Sequence, residues 1–179
     1  MKNIFLLALL ALSLASCKKD VDELPEATQT GANTFGARLN GEFWVPQGFG
    51  IMPTAPQIEA RYGGNNSVFI NARNFSSSPT ETEFEIHLQS VTGPGTYLLN
   101  QTTAIYPSQS ASYGYFVRRR IRPLNEYITS AAEGGRVVVT KFDTNNNIIS
   151  GTFEFRAADK DNTSDIITVT DGRFDVKIQ

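Results

Sequence analysis

The 179-residue chain is poor in the residue types on which many metal centres and covalent scaffolds depend. It contains one cysteine and one histidine. A single cysteine excludes an internal disulfide, a zinc site built from several thiolates and an iron–sulfur cluster, and a single histidine excludes a multi-histidine metal centre. Charged residues are also scarce, at 19%, whereas apolar residues at 40% suffice for a core. This composition is not that of a disordered chain.

Neither sign of charge predominates. Sixteen Lys and Arg against eighteen Asp and Glu leave a net charge of −2, which removes the bulk attraction that nucleic-acid binding needs. We therefore predict no nucleic-acid partner. The sequence also lacks the Gly-x-Ser-x-Gly elbow of many hydrolases, and we predict neither a cofactor nor enzymatic activity.

The N-terminus has the layout of an export signal. A positive start, Met1–Asn3, precedes a nearly continuous apolar run over 4–15. Twelve residues are too few to span a bilayer, which needs about 20, but they fit the apolar region of a secretory signal. The run ends in Leu14-Ala15-Ser16-Cys17, which resembles a bacterial lipobox. The resemblance implies a signal peptide cleaved after residue 16 and a diacylglyceryl group on Cys17.

Residues 18–33 contain no aromatic residue and no apolar periodicity, which predicts a flexible tether between Cys17 and a single domain over 34–179. Sixteen flexible residues span roughly 20–25 Å. The tether begins Lys18-Lys19-Asp20-Val21-Asp22-Glu23, which resembles the lysine-then-acidic export tag of surface lipoproteins in the Bacteroidota. We expect an outer-membrane protein held by its lipid, on the periplasmic or the cell-surface side.

The chain after residue 33 predicts short strands. Phe84, Ile86 and Leu88 alternate with polar residues, and this period of two indicates a strand with one buried face. Asn40-Gly41 and Asp171-Gly172 have the residues of two-residue hairpin turns, because both positions tolerate positive φ. About nine or ten strands with turns every eight to twelve residues favour an all-β domain. We expect a single antiparallel β-sandwich or a partly open barrel.

Motifs at both ends of this domain resemble those of a known family. They are Thr34-Phe35-Gly36, Asn40-Gly41 and Trp44-Val45-Pro46 near the start, and Ile149–Phe155 and Thr170–Asp175 at the end. Over residues 25–179 the chain resembles a family of small Bacteroidota lipoproteins with an uncharacterised all-β domain. The resemblance implies an envelope lipoprotein with a sandwich-like fold, and it implies no activity and no functional residues.

Acid–base candidates lie on one predicted strand. Glu81, Glu83, Glu85 and His87 would share the face opposite the core. Paired carboxylates suit a glycosidase only when one of them lies in an apolar pocket. We expect this face to be exposed to solvent and to carry no chemistry. A small carboxylate-dependent hydrolase is the alternative.

Two acidic loops resemble metal-binding loops incompletely. Asp143, Asn145 and Asn147 occupy positions 1, 3 and 5 of a calcium-loop pattern and Glu154 occupies position 12, but Ile148 stands where that loop needs glycine. We therefore predict an Asn-rich turn without metal. Asp159, Asp161 and Asp165 form a second loop with a similar pattern.

A basic run offers candidate contacts for an anion. Arg118, Arg120 and Arg122 would share one strand face and follow Tyr113 and Tyr115. Arginine binds phosphate or carboxylate through a bidentate fork, so these five residues would suit lipid A phosphates, an acidic glycan or an acidic partner. A solvated strand face is the alternative.

The predicted function is that of a non-enzymatic envelope lipoprotein that binds a partner. The partners would be the membrane, through Cys17, and a glycan or an envelope protein. The first alternative is a glycan-binding accessory of an outer-membrane uptake system. It requires at least three aromatic residues on one exposed face, drawn from Trp44, Tyr62, Tyr97, Tyr106, Tyr113 and Tyr115.

Overall fold

The computed structural model describes residues 22–48, 56–76, 81–103, 110–119 and 124–179. The signal peptide, Cys17, Arg120 and Arg122 lie outside these ranges. Within them the chain forms eleven strands and no helix, which confirms the all-β prediction. The strands are β1 (Thr34–Leu39), β2 (Glu42–Trp44), β3 (Ile58–Tyr62), β4 (Val68–Asn74), β5 (Glu81–Leu88), β6 (Gly95–Leu98), β7 (Tyr113–Arg119), β8 (Asn125–Ile128), β9 (Gly135–Asp143), β10 (Ile148–Asp159) and β11 (Ile166–Lys177).

The strands form one curled antiparallel sheet. Its order is β2-β1-β11-β10-β8-β7-β5-β4-β3, with β9 paired to β10 and β6 paired to β9. A bridge between Ala60 of β3 and Ile178 brings the last strand of this order back to the end of β11. The sheet therefore curls into a half-barrel, and the predicted partly open barrel is confirmed.

Aromatic side chains fill the interior of the half-barrel. The Phe84 ring of β5 lies 5.8 Å from that of Phe35 in β1 and 4.7 Å from that of Trp44 in β2, measured between ring centroids. Phe84 is 0% exposed and Trp44 is 8% exposed. Each such ring stabilises the fold by about 1.5–3 kcal/mol through burial alone. The contacts of Phe84 therefore join β5 to β1 and β2, which lie at the far end of the sheet order. Its remaining neighbours are Phe116, Phe153 and Phe155.

The turn at Asn40-Gly41 has the predicted conformation. Asn40 has a φ of 52° and Gly41 a φ of 88°, and positive values at both positions make a two-residue turn of type I′. The register pairs Ala37 with Trp44 and Leu39 with Glu42. The hairpin between β1 and β2 is therefore confirmed.

The predicted hairpin at Asp171-Gly172 is wrong. Both residues lie inside β11, which runs without interruption between β1 and β10. Asp171 has a φ of 53°, and the register shifts by one residue there against both neighbours, so the strand contains a β-bulge. Gly172 is needed because a Cβ would lie 2.5 Å from the Phe153 carbonyl oxygen. Asp171 thus has the positive φ that a turn would require, but β11 continues beyond it in the same direction.

The carboxylate of Asp175 in β11 holds the N-terminal segment against the sheet. Asp175 is 1% exposed, and its two oxygens accept hydrogen bonds of 2.6–3.1 Å from five donors. Residues 28–32, predicted to be flexible tether, are therefore packed on β11, and the tether ends earlier than predicted. The donors are Thr28 Oγ1, Ser150 Oγ and the backbone amides of Thr30, Gly31 and Ala32.

These hydrogen bonds favour the ionised form of Asp175. Burial alone would raise the pKa of its carboxyl group, but the hydrogen bonds from Thr28, Ser150 and the backbone amides together hold the pKa well below its usual range. The charged carboxylate therefore stabilises the folded state.

Asp175→Asn should lower the free energy of unfolding at pH 7 by about 3 kcal/mol, because an amide cannot accept all of these hydrogen bonds. Asp171→Asn is the matched control. Asp171 lies on the same strand with its side chain 56% exposed, and asparagine tolerates its positive φ. The control should change stability by no more than about 0.5 kcal/mol. Urea unfolding measures both variants.

Comparing the wild type with Asp175→Asn at several pH values tests the sign of the pH dependence of stability. A carboxyl group whose pKa is depressed by folding stabilises the fold above its unfolded pKa of about 3.9 and loses that contribution as the pH falls. The advantage of the wild type over Asp175→Asn should therefore shrink below about pH 4. An advantage that is unchanged at pH 3 would contradict the assignment.

Candidate functional site

The acid–base candidates of β5 lie together, but their face of the strand is buried. Glu83, Glu85 and His87 are 7%, 4% and 0% exposed, so the prediction of a solvent-exposed face is wrong. β5 lies between β4 and β7, and the residues directly opposite His87 are Phe69 and Tyr113. Because cross-strand neighbours share a face, these aromatic rings cover the polar side of β5. The predicted core side is confirmed, with Phe84, Ile86 and Leu88 all 0% exposed.

Asn71 of β4 links the two carboxylates. Its Nδ2 donates to Glu83 Oε1 at 3.0 Å and to Glu85 Oε2 at 2.8 Å. Glu83 is also paired with Arg119, whose Nη2 lies 2.8 Å from Oε2. Glu85 instead accepts a hydrogen bond from the Tyr113 hydroxyl, 2.5 Å from Oε1. The oxygens of both carboxylates are therefore engaged in contacts within the protein.

His87 uses one ring nitrogen and leaves the other without a partner. Nδ1 lies 2.7 Å from the carbonyl oxygen of Ala111, and because a carbonyl only accepts, Nδ1 carries the hydrogen. Nε2 is then the unprotonated nitrogen. It is buried and has no hydrogen-bond partner among the described residues. The ring stacks on Phe69 with 4.2 Å between centroids, and the Arg61 guanidinium lies 4.0 Å from the Phe69 centroid.

Burial lowers the pKa of His87 below its ordinary value of 6.5. The hydrogen bond to Ala111 and the negative charge of Glu85 act in the opposite direction, and the positive charge of Arg61 adds to the lowering. The neutral imidazole is thus the form that fits this site. The arrangement favours a packed structural histidine over a general base open to substrate.

Three of the residues predicted to bind an anion are described, and the structure does not bring them together. Tyr113 and Tyr115 are buried on the glutamate face of β7, and the Tyr115 hydroxyl donates to Glu126 at 2.7 Å. Arg118 lies on the opposite face, with its guanidinium 5.7 Å from the Tyr127 ring centroid. Strand alternation therefore places Arg119, and not Arg118, beside the tyrosines. Arg120 and Arg122 lie outside the described residues.

Asp143 serves the turn in which it lies. Its Oδ1 accepts the backbone amides of Asn145 and Asn146, and its Oδ2 accepts the side-chain amide of Asn146 at 2.8 Å. These hydrogen bonds lower the pKa of Asp143. Asn147 has a φ of 53°, and Glu154 pairs with Arg136 at 2.8 Å. The residues of the calcium-like pattern therefore do not act together: Asp143 bonds within its own turn, and Glu154 forms a cross-strand ion pair.

The aromatic candidates for sugar stacking do not form an exposed platform in the described part of the chain. Tyr62 is 42% exposed, whereas Trp44, Tyr113 and Tyr115 are buried in the sheet. Tyr97 is half-buried, and its hydroxyl donates to the Gly93 carbonyl at 2.8 Å. Tyr106 lies outside the described residues.

A surface cleft of about 650 Å³ lies beside the N-terminal segment. One wall consists of residues 22–26, and the others come from residues 33–35, 45–47 and 57–58. Three carboxylates line it beside an apolar surface that includes Leu24, Phe35 and Ile58. Sequence reasoning missed this cleft because four separate segments build it, and none of them carries a motif.

The strands fall almost entirely inside one region of sequence similarity, whereas the cleft wall formed by residues 22–26 lies outside it. Residues 32–176 match the profile of a domain of unknown function, DUF6252. The chain belongs to the DUF6252 family. No curated protein and no solved structure matches this DUF6252 chain. Among the residues described, it has no helix long and apolar enough to cross a membrane.

The single histidine of this DUF6252 protein makes its titration directly measurable. Unfolded His87 takes up a proton near pH 6.5 and folded His87 only at lower pH, so the unfolded state binds more protons and stability falls on acidification. Between these two pKa values the free energy of unfolding falls by about 1.4 kcal/mol for each pH unit of acidification. NMR titration of the one imidazole in a tag-free protein should give a pKa below 6.5.

His87→Phe is the companion variant, because it keeps the ring stacking on Phe69 and removes the titrating group. At pH 7.5 it should be less stable by about 1–2 kcal/mol, since the Ala111 carbonyl loses its donor. The deficit should narrow between pH 6.5 and 5.5, as measured by urea unfolding. A constant deficit, or an imidazole pKa of 6.5 or more, would contradict this account of the site.

Proposed function

We propose that this DUF6252 protein is a lipid-anchored lipoprotein of the outer membrane in the Bacteroidota, and that its β domain binds a partner and performs no catalysis. The only thiol of the chain stands at the position that the lipobox requires, which supports lipid attachment at Cys17. One acyl chain binds membranes weakly, whereas the two chains of a diacylglyceryl group anchor stably.

The packing of the N-terminal segment supports a role at the membrane surface. Asp22 is five peptide units from Cys17 (22 − 17), and an extended chain covers at most about 3.6 Å per residue, so the two residues lie within about 18 Å of each other. Residues 28–32 are held on β11 by Asp175. The cleft lined by residues 22–26 is therefore kept near the lipid. A partner bound in it would be a component of the envelope surface, which favours an envelope protein.

The buried polar cluster of β5 supports a non-enzymatic role. Glu83 and Glu85 accept hydrogen bonds from protein donors, and His87 is fully buried. Neither the cleft beside residues 22–26 nor a smaller one of about 270 Å³ on β9, β10 and β11 is lined by these three residues. A glycan-binding role has less support, because Tyr62, at 42%, is the one exposed ring among the described aromatic candidates.

Cys17→Ser should release the protein from the membrane fraction, because serine cannot accept the thioether-linked lipid. Ser16→Gly is the matched control, since it keeps a small residue beside an intact thiol and should leave the protein membrane-bound. Immunoblots of membrane and soluble fractions measure both. Retention of Cys17→Ser in the membrane fraction would contradict the lipoprotein assignment.

Protease treatment of intact cells that carry the protein with a C-terminal tag then shows on which side of the outer membrane the domain lies. Loss of the wild-type signal places the domain on the cell surface and favours an external ligand. Protection until the outer membrane is opened places it in the periplasm and favours a partner in the envelope.

A further inference from the structure

The connection between β10 and β11 carries negative charge that the described residues do not compensate. Asp159 ends β10, and Asp161 and Asp165 follow before β11 begins. Lys160 is the only basic residue in this stretch, and its Nζ lies 3.1 Å from Glu126 Oε2. In the part of the chain that the structure describes, no ion pair involves any of the three aspartates. Such a loop attracts a cation.

Asp159 is 4% exposed, yet half of its carboxylate has no partner. Oδ1 accepts the backbone amides of Asp161 at 2.8 Å and Asn162 at 3.0 Å, which directs the side chain into the loop that it begins. Oδ2 is buried and makes no hydrogen bond within the described ranges. A buried carboxylate oxygen without a donor is costly, and a bound ion or water is the usual reason that a fold keeps one.

Tyr127 connects a second carboxylate, that of Asp165, to the strand pair that contains Asp159. It lies directly opposite Asp159 in the pairing of β8 with β10, it is 1% exposed, and its hydroxyl donates to Asp165 Oδ2 at 2.8 Å. Asp165 is also tied to Asp159 through the backbone, because the Asp159 amide donates to the Asp165 carbonyl at 2.8 Å. Asp165 is therefore linked to Asp159 in two ways, through the Tyr127 hydroxyl and through the backbone.

We propose that the β10–β11 connection binds a calcium ion, with Asp159 Oδ2 as its buried ligand and the carboxylates of Asp161 and Asp165 as further ligands. Calcium accepts six to eight oxygens in flexible geometry, including carboxylates, backbone carbonyls and water. No three acidic or imidazole groups among the described residues are already gathered around one point. Binding therefore turns the exposed Asp161 and Asp165 toward Asp159. This site is separate from the membrane-proximal cleft and does not depend on the proposed function.

The test compares full-length wild type, Asp159→Asn and Asp143→Asn, purified in detergent and washed with chelator. Asparagine at 159 still caps the turn through its side-chain oxygen but removes the charge. Asp143→Asn is the matched control, because Asp143 starts a similar turn in which both of its oxygens already have partners. Thermal unfolding with and without 10 mM calcium chloride is the first measurement. Luminescence of terbium, a calcium substitute excited through a nearby tyrosine, is the second, with Tyr127 as the donor.

Calcium should raise the Tm of the wild type and of Asp143→Asn by about 3–5 °C, as expected for a site with a dissociation constant near 1 mM. Asp159→Asn should respond by less than about 1 °C and should be at least as stable as the wild type in chelator. Terbium luminescence should be displaced by calcium in the wild type and lost in Asp159→Asn. An equal calcium response in all three proteins, or none in the wild type, would overturn the proposal and leave water as the partner of Oδ2.

Discussion

The buried carboxylate of Asp175 joins three parts of the molecule. It lies on β11, it accepts the hydroxyl of Ser150 from β10, and it gathers the backbone of residues 30–32. These amides, of which that of Gly31 is buried and the other two are partly buried, would otherwise lose their acceptor, and an unsatisfied buried donor costs about 1–3 kcal/mol. Because the carboxylate satisfies them, the segment before β1 has a defined course. That course limits the distance between the domain and Cys17 and places the cleft beside residues 22–26.

The sheet is buried on both faces where β4, β5 and β7 run side by side. The inner face carries the aromatic residues around Phe84, and the outer face carries Asn71 with Glu83 and Glu85. Polar groups buried in this way must be matched by partners, and a one-residue slip of β5 would bring its glutamates into the aromatic core. The polar cluster is therefore better interpreted as fixing the register of β5 than as a catalytic site. Tyr113 and Arg119 complete it from β7.

Local features of the fold could be predicted from the sequence, and features that depend on distant segments could not. Alternation in β5 correctly identified the residues that face the core, because a strand period is a property of the strand itself. Whether the other face meets water depends on Phe69 and Tyr113, which come from other strands. Asn40-Gly41 and Asp171-Gly172 carry the same preference for positive φ. The first turns the chain, and the second bulges because β1 and β10 hold β11 on both sides.

The same distinction between local and long-range features applies to the candidate sites. Two aspartates, Asp143 and Asp159, begin similar turns next to β10, and the residue pattern around the first is the closer to a calcium loop. In the structure, however, Asp159 is the better candidate for a metal ligand. Asp143 is partly open to solvent and both of its oxygens have donors within the turn. Asp159 lies at the junction of β8 and β10, where no donor among the described residues reaches Oδ2. A carboxylate becomes a ligand when the fold leaves its oxygen unsatisfied, and only the pairing of distant strands decides that.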